Sequence, residues 1–153
     1  MDSKEVIDEL RSLVKTDIDA AHAYRQAIPE IDAPEIQAEL GKFLDDHERH
    51  VMELTDALRG LGTEAPEYTR SFKGFIISGF TAIRAAIGIE SALKAMRSNE
   101  KLTNRTYADA VKLDFPSSVK TIVQRNYDDE KRHLAYIEQT IAQKAWKEKV
   151  AAK

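Results

Sequence analysis

Three of the four histidines stand at spacings that suit a metal site. His47 and His50 are three residues apart, as are Glu130 and His133. Three residues turn an α-helix through about 300°, which leaves both side chains of each pair on one face, about 60° apart. Imidazole and carboxylate groups bind iron, manganese and zinc in proteins. The spacing therefore indicates a metal site built from helices.

The chain also repeats itself with a shift of 83 residues. Residues 45–50 (DDHERH) fall on residues 128–133 (DDEKRH), and four of the six positions are identical. The same shift pairs two carboxylates and two tyrosines, namely Asp17 with Glu100 and Tyr24 with Tyr107. In each half the carboxylate precedes the tyrosine by seven residues, which is about two helical turns, so both lie on one face. The repeat predicts two copies of one helical hairpin.

Apolar residues recur at steps of three and four along nearly the whole chain, which is the period of amphipathic helices. We predict an all-α fold with four long helices. In chain order they are a helix from a capping box at Asp2 and Glu5 to Pro29, a helix from Pro34 to Gly60, a helix from about residue 88 to just before Phe115, and a helix from Ser117 or Ser118 to about residue 143.

These helices make one domain over residues 1–153, with repeated hairpins at about 3–60 and 88–143. The crossover at 61–87 contains a short helix from about residue 72. We expect its apolar residues to cover the bundle or to form the contact of a homodimer, and the alternative is a helix at a membrane surface. The tail from Lys144 onwards is expected to fray.

The polar residues of the motifs lie in the apolar stripes of their own helices, where the bundle core should be. Burying an ionised group costs several kcal/mol unless it is paired or binds a cation. We predict that six ionisable residues are metal ligands: Asp17, His47, His50, Glu100, Glu130 and His133. Four further residues are expected to support them through hydrogen bonds: Tyr24, Tyr107, Asp46 and Asp129. The alternative is a metal-free bundle in which the groups pair with one another, His47 or His50 with Asp17 and His133 with Glu100.

The composition excludes several other kinds of chemistry. The chain has no cysteine, which rules out disulfides, thiolate metal sites and a cysteine nucleophile. Its net charge of −3 gives no basic surface for nucleic acid or for an anionic membrane. The most apolar segment, residues 74–83, is about half as long as a membrane-spanning helix. The start of the chain lacks the layout of a secretory signal, so we expect a cytoplasmic protein.

With these motifs, the chain resembles the ferritin-like superfamily, in particular its rubrerythrin-related branch. More closely, it is similar over residues 3–143 to a bacterial family of uncharacterised ferritin-like four-helix-bundle proteins. The resemblance implies an antiparallel four-helix bundle with a long crossover between helices two and three. It also implies a terminal carboxylate from helices one and three, and a bridging carboxylate with a histidine from helices two and four. The matching residues here are Asp17, Glu100, His50, Glu130 and His133.

The chain departs from that pattern mainly in helix two. His47 stands where a bridging glutamate is expected, which leaves Glu130 to bridge, and Asp46 beside it is an alternative ligand. In helix one, Asp17 is one methylene shorter than the usual glutamate. Three histidines and three carboxylates carry less negative charge than the usual two and four. This set therefore suits two trivalent irons less well, and suits a single ion or zinc better.

The resemblance implies one or two iron ions that react with dioxygen or peroxide, in ferroxidase or peroxidase chemistry linked to oxidative stress. Zinc or manganese bound without redox turnover is one alternative. A structural or stress-associated bundle with no catalysis is another. The remaining histidine, His22, has no counterpart in the repeat, and we expect it at the surface.

Overall fold

The structure is a computed structural model, and it describes residues 1–68 and 88–147. Four long helices make up most of these residues: α1 (Ser3–Ala27), α2 (Pro34–Gly60), α3 (Ile89–Ala110) and α4 (Ser117–Gln143). They pack against one another, and the described residues contain no strand. The predicted all-α bundle is confirmed. The short helix predicted within the crossover, and the end of the tail, fall outside the described residues.

Local sequence explains where the first two helices begin and end. At the start of α1, the side chain of Asp2 accepts from the backbone N–H of Glu5, and the side chain of Glu5 accepts from that of Asp2, both at 2.8 Å. A single turn of 3₁₀ helix at Ile28–Glu30 contains Pro29 and follows the end of α1. Pro34 is the first residue of α2, where its missing N–H has no cost. The predicted limits of these two helices are confirmed.

Side-chain contacts fix the direction of α2 relative to α1. In the first half of α1, the Arg11 guanidinium donates to Oγ1 of Thr63, just beyond the end of α2, at 2.6 Å. Near the end of α1, the ring of Tyr24 packs edge-on against Phe43 in the first half of α2, with ring centroids 6.3 Å apart. The two helices are therefore antiparallel.

The same reasoning gives the direction of α3. Tyr24, near the end of α1, hydrogen-bonds to Glu100, whereas Asp17, earlier in α1, accepts from Tyr107, later in α3. Since α3 is antiparallel to α1, it is parallel to α2. α2 ends at Gly60 and α3 begins at Ile89, so these two parallel helices are separated by a long connection. The long crossover that the resemblance implies is confirmed.

The fourth helix completes the bundle between α2 and α3. Asn126, in its first half, donates from Nδ2 to the Tyr107 hydroxyl at 3.4 Å. His133, further along α4, has its Nδ1 3.5 Å from Oε1 of Glu100, which lies earlier in α3. These contacts make α4 antiparallel to α3.

A layer of polar side chains divides the apolar core into two clusters. The first cluster includes Leu10, Leu13, Leu54, Leu58, Val119 and Val123. The second includes Leu40, Phe43, Leu93, Met96 and Ile137, and Trp146 packs against it just beyond α4. Along α2, α3 and α4 the predicted metal ligands fall between the two clusters, and on α1 Asp17 lies beside Ile18 at the end of the first cluster. Within the described ranges, no helix has the length and apolar character that crossing a membrane requires.

The structure corrects the expectation that His22 lies at the surface. Its side chain is buried, and its ring lies against that of Tyr68, with centroids 5.6 Å apart. Tyr68 belongs to the segment that follows α2, so this segment covers a face of α1. Helical periodicity identifies the face that meets other helices, but it does not reveal a second face covered by a connection.

The end of α4 allows a test of this account of local structure. Lys144 has a left-handed backbone conformation with φ of 48°, which costs a residue with a Cβ about 1 kcal/mol that glycine avoids. We expect Lys144→Gly to raise the free energy of unfolding by about 1 kcal/mol. Lys131→Gly, at an exposed position inside α4, should lower it by about 1 kcal/mol. Urea unfolding measures both changes, and destabilisation by Lys144→Gly would contradict the assignment.

Candidate metal centre

Six ionisable side chains meet halfway along the bundle, in the polar layer between the apolar clusters. Each of them has 0% of its surface exposed: Asp17, His47, His50, Glu100, Glu130 and His133. These are the six residues predicted as ligands, and the structure brings all of them together. Their geometry decides what they are able to hold.

The first group of possible ligands is Asp17, His47, His50 and Glu130. Oδ1 of Asp17 lies 2.8 Å from Nδ1 of His47 and 3.0 Å from Nδ1 of His50. Both of these nitrogens lie 3.3 Å from Oε1 of Glu130. Asp17 therefore reaches the centre despite its short side chain.

The second group is His47, Glu100, Glu130 and His133. Oε1 of Glu100 lies 3.3 Å from Nε2 of His47 and 3.5 Å from Nδ1 of His133. The same nitrogen of His133 lies 3.5 Å from Oε2 of Glu130. The two groups thus share His47 and Glu130, which occupy matching positions in the sequence repeat.

Each outer histidine is held on its far side by an aspartate of the other hairpin. Nε2 of His50 lies 2.9 Å from Asp129, and Nε2 of His133 lies 2.8 Å from Asp46. A hydrogen bond of this kind fixes which ring nitrogen faces the centre. Asp46 therefore supports His133 from outside and belongs to neither ligand group, so the geometry does not favour it as an alternative ligand.

Two arginines complete these outer contacts. Arg49 donates to Asp129, and Arg132 donates to Asp46 at 2.8 Å. Neither arginine is among the predicted site residues, although their identity at matching positions of the repeat is a signal that they belong to it.

The two buried tyrosines also cross between the hairpins. The Tyr24 hydroxyl donates to Oε1 of Glu100, and the Tyr107 hydroxyl donates to Oδ2 of Asp17. Burial raises the pKa of both phenols well above the ordinary value, and the adjacent carboxylates raise it further. Both tyrosines therefore remain hydrogen-bond donors at neutral pH and hold the carboxylates in position.

The outer histidines are charged in the metal-free protein. Burial alone lowers the pKa of His50, but the carboxylates of Asp17 and Asp129 outweigh this and raise the pKa to about 10. Burial also opposes protonation of His133, and nearby carboxylates, above all Asp46, raise its pKa to about 9. Both rings are consequently imidazolium at neutral pH. The pairings expected for a metal-free bundle are thus present.

One carboxylate remains poorly satisfied. Burial raises the pKa of Glu130 above its usual value, and the charge of Glu100 adds to this rise. Within the described part of the chain, neither carboxylate oxygen of Glu130 accepts a hydrogen bond. Its charge is offset by the imidazole nitrogens of His47, His50 and His133, which lie 3.3–3.5 Å from these oxygens. A cation between the two groups would offset the charge of Glu130 directly.

The distances in both groups suit a metal ion. A tetrahedral ion with bonds of about 2.0–2.1 Å keeps its ligand atoms about 3.3 Å apart. The contacts between carboxylate oxygens and imidazole nitrogens span 2.8–3.3 Å in the first group and 3.3–3.5 Å in the second. Each group offers two nitrogens and two oxygens, a donor set that suits iron, manganese or zinc. The buried residues are therefore able to hold a metal ion.

The family model described as Domain of unknown function (DUF2383) matches residues 5–113. The chain belongs to this family. The family is of the ferritin-like helical type, as the sequence resemblance implies, while the rubrerythrin-related branch stays a prediction. The match covers α1, α2 and α3 with four of the six buried residues, and it ends before α4. The search of curated proteins finds no match.

The pKa shifts predict how the stability of metal-free DUF2383 protein depends on pH. His50 and His133 are protonated when folded, whereas in the unfolded chain they titrate near pH 6.5. Because the folded pKa values are raised, this stabilisation is complete below pH 6.5 and disappears as the pH rises to 9 and 10. We expect the free energy of unfolding to fall by about 1 kcal/mol per pH unit for each histidine. Urea unfolding of chelator-treated protein across this range measures the slope.

A variant and the addition of zinc serve as controls for this test. His50→Gln removes one titrating group, so it should make the slope shallower. Added zinc should oppose the loss, since metal ions bind deprotonated imidazole and bind it better as the pH rises. A wild-type stability that is constant from pH 6.5 to 9 would contradict the assignment of charged histidines.

Proposed function

We propose that this protein is a metal-binding bundle that holds two divalent ions side by side in its core, and that ferrous iron bound there reacts with dioxygen or peroxide. The observation that supports this most strongly is that two buried groups of four possible ligands share His47 and Glu130. Two ferrous ions at adjacent sites would supply the two electrons that reduce one peroxide to water. The family match and the ferritin-like topology are in keeping with such a centre.

The residues of the chain would position the ligands and keep water away. Asp46 and Asp129 hold the outer histidines, and Tyr24 and Tyr107 hold the terminal carboxylates. Because these supports come from the opposite hairpin in each case, the ligands are arranged before an ion arrives. Arranged ligands bind an ion with a smaller loss of conformational entropy.

A second candidate function is the binding of zinc or manganese without redox turnover. The presence of two nitrogens in each group supports it, since a nitrogen-rich set at tetrahedral spacing is typical of zinc. The metal content of the purified protein and its reaction with oxygen separate the two candidates. The homodimer and the cytoplasmic location stay predictions.

The first test is metal content and oxygen consumption. Protein purified without added metal should contain iron, and anaerobically loaded ferrous protein should consume dioxygen or peroxide. Bound zinc or manganese with no oxidant consumption would favour the second candidate. A protein that takes up none of the three metals, and is not stabilised by them, would be a structural bundle and would refute both proposals. An ion at a hundred times its Kd should raise the free energy of unfolding by about 3 kcal/mol.

Glu130→Gln provides the matched variant for that test. The substitution keeps the shape of the side chain but removes the shared negative charge, so the metal content should fall to one ion or none. Glu138→Gln, at an exposed position two turns further along α4, should bind metal like the wild type. Equal metal content in the two variants would show that Glu130 is not a ligand.

The aspartates on the outer histidines allow a separate test. Asp129→Asn weakens the support of His50, so metal affinity should fall by about 10- to 100-fold. The exposed neighbour Asp128 gives the control variant Asp128→Asn, which should leave the affinity unchanged. Competition with a coloured chelator measures both affinities. The same affinity for both variants would mean that Asp129 serves stability alone.

A further inference from the structure

We propose that His47 binds both metal ions at once, one through each ring nitrogen, and thereby acts as the second bridging anion of the centre. This inference rests on the proposed metal-binding function and adds the way in which this chain bridges its two ions. It concerns the position where the ferritin-like pattern has a glutamate.

The two nitrogens of His47 face different groups of ligands. Nδ1 lies 2.8 Å from Asp17 and 3.3 Å from Oε1 of Glu130, in the first group. Nε2 lies 3.3 Å from Glu100, in the second group. His47 is therefore a member of both groups through opposite edges of one ring.

Surrounding rings fix this orientation. The ring of His47 lies between those of Tyr24 and His133, with centroid separations of 5.3 and 5.1 Å, and the His50 ring lies 5.6 Å away. The side chain has 0% of its surface exposed. A ring enclosed in this way has little room to turn one of its nitrogens away from the centre.

Glu130 supplies the matching bridge from the other hairpin. Its Oε1 faces the first group and its Oε2 faces the second. His47 and Glu130 are related by the 83-residue shift, so the repeat places two bridging side chains opposite each other. With both bridges, each ion has two nitrogen and two oxygen ligands. Without His47, each ion would have one nitrogen and two oxygens.

Charge balance also favours the bridge. An imidazole that binds through both nitrogens releases both ring protons to solvent and carries one negative charge, like the glutamate it replaces. Three carboxylates and this ring then give four negative charges, which balance two divalent ions. A neutral ring would leave one positive charge uncompensated in the core, at a cost of several kcal/mol.

The bridge has a measurable consequence for the spacing of the ions. A ring with a metal–nitrogen bond of about 2 Å on each side keeps two ions about 5–6 Å apart. Centres bridged only by carboxylates and small ligands have ions about 3.5–4 Å apart, although the two oxygens of one carboxylate, such as Glu130, also reach ions at the wider spacing. The spacing therefore distinguishes the two kinds of bridge.

Crystals of the full chain grown with zinc, with anomalous scattering used to locate the ions, test the proposal. We expect two zinc ions about 5–6 Å apart with the ring of His47 between them. A single zinc ion, or two ions about 3.5–4 Å apart with His47 on one ion or neither, would overturn it. Failure to bind zinc, iron or manganese at all would instead refute the proposed metal-binding function.

Variants at His47 add measurements of the zinc content and of the distance between the zinc ions. His47→Glu restores a carboxylate bridge, so it should keep two zinc ions and bring them to about 3.5–4 Å. His47→Gln provides no bridging anion, so zinc content should fall from two ions to one or none. His22→Gln removes the buried histidine outside the centre and should retain two ions. Two tightly bound zinc ions in His47→Gln would overturn the proposal, and circular dichroism of each variant verifies that it folds.

Discussion

The bundle depends on the mutual neutralisation of charges that it buries in its middle. Three carboxylates and three imidazoles are removed from water there, and an unpaired charge in such a place costs several kcal/mol. Within each hairpin, imidazole meets carboxylate, as His50 meets Asp17. Other hydrogen bonds cross to the other hairpin, as between Tyr107 and Asp17 and between Asp129 and His50. The folded state is therefore satisfied only when the two hairpins are joined.

This requirement specifies the alignment of the helices as well as their association. The two apolar clusters supply most of the favourable burial, but contacts among leucine and isoleucine side chains tolerate repacking. Hydrogen bonds at 2.8–3.0 Å do not tolerate such changes in position. A slip of one turn between α2 and α4 would separate His133 from Asp46 and His50 from Asp129. The polar layer thus fixes the position at which the apolar faces meet.

Much of this arrangement could be predicted from spacing, because helical period and an internal repeat both report which residues share a face. The six ionisable residues of the centre follow from that alone. Their partners do not, since a repeat relates Asp46 to Asp129 as equivalents without revealing that each contacts the histidine of the other hairpin. The repeat likewise relates Arg49 to Arg132 without revealing that each donates to an aspartate of the other hairpin. The burial of His22 depends on the segment after α2, which no helical period describes.

The same constraint determines how a metal ion would enter this centre. In the metal-free protein, nearby carboxylates raise the pKa of all three imidazoles, whose protons balance those carboxylates, so an ion has to displace protons rather than fill an unpaired site. The charges of the centre favour divalent over trivalent ions. With His47 fully deprotonated the ligands carry four negative charges, which balance two divalent ions, whereas two trivalent ions carry six positive charges. The competition with protons also separates metal binding from folding. A bundle whose buried charges are paired by protons retains its ligand positions when the ions leave, whereas a centre of carboxylates alone would face strong repulsion.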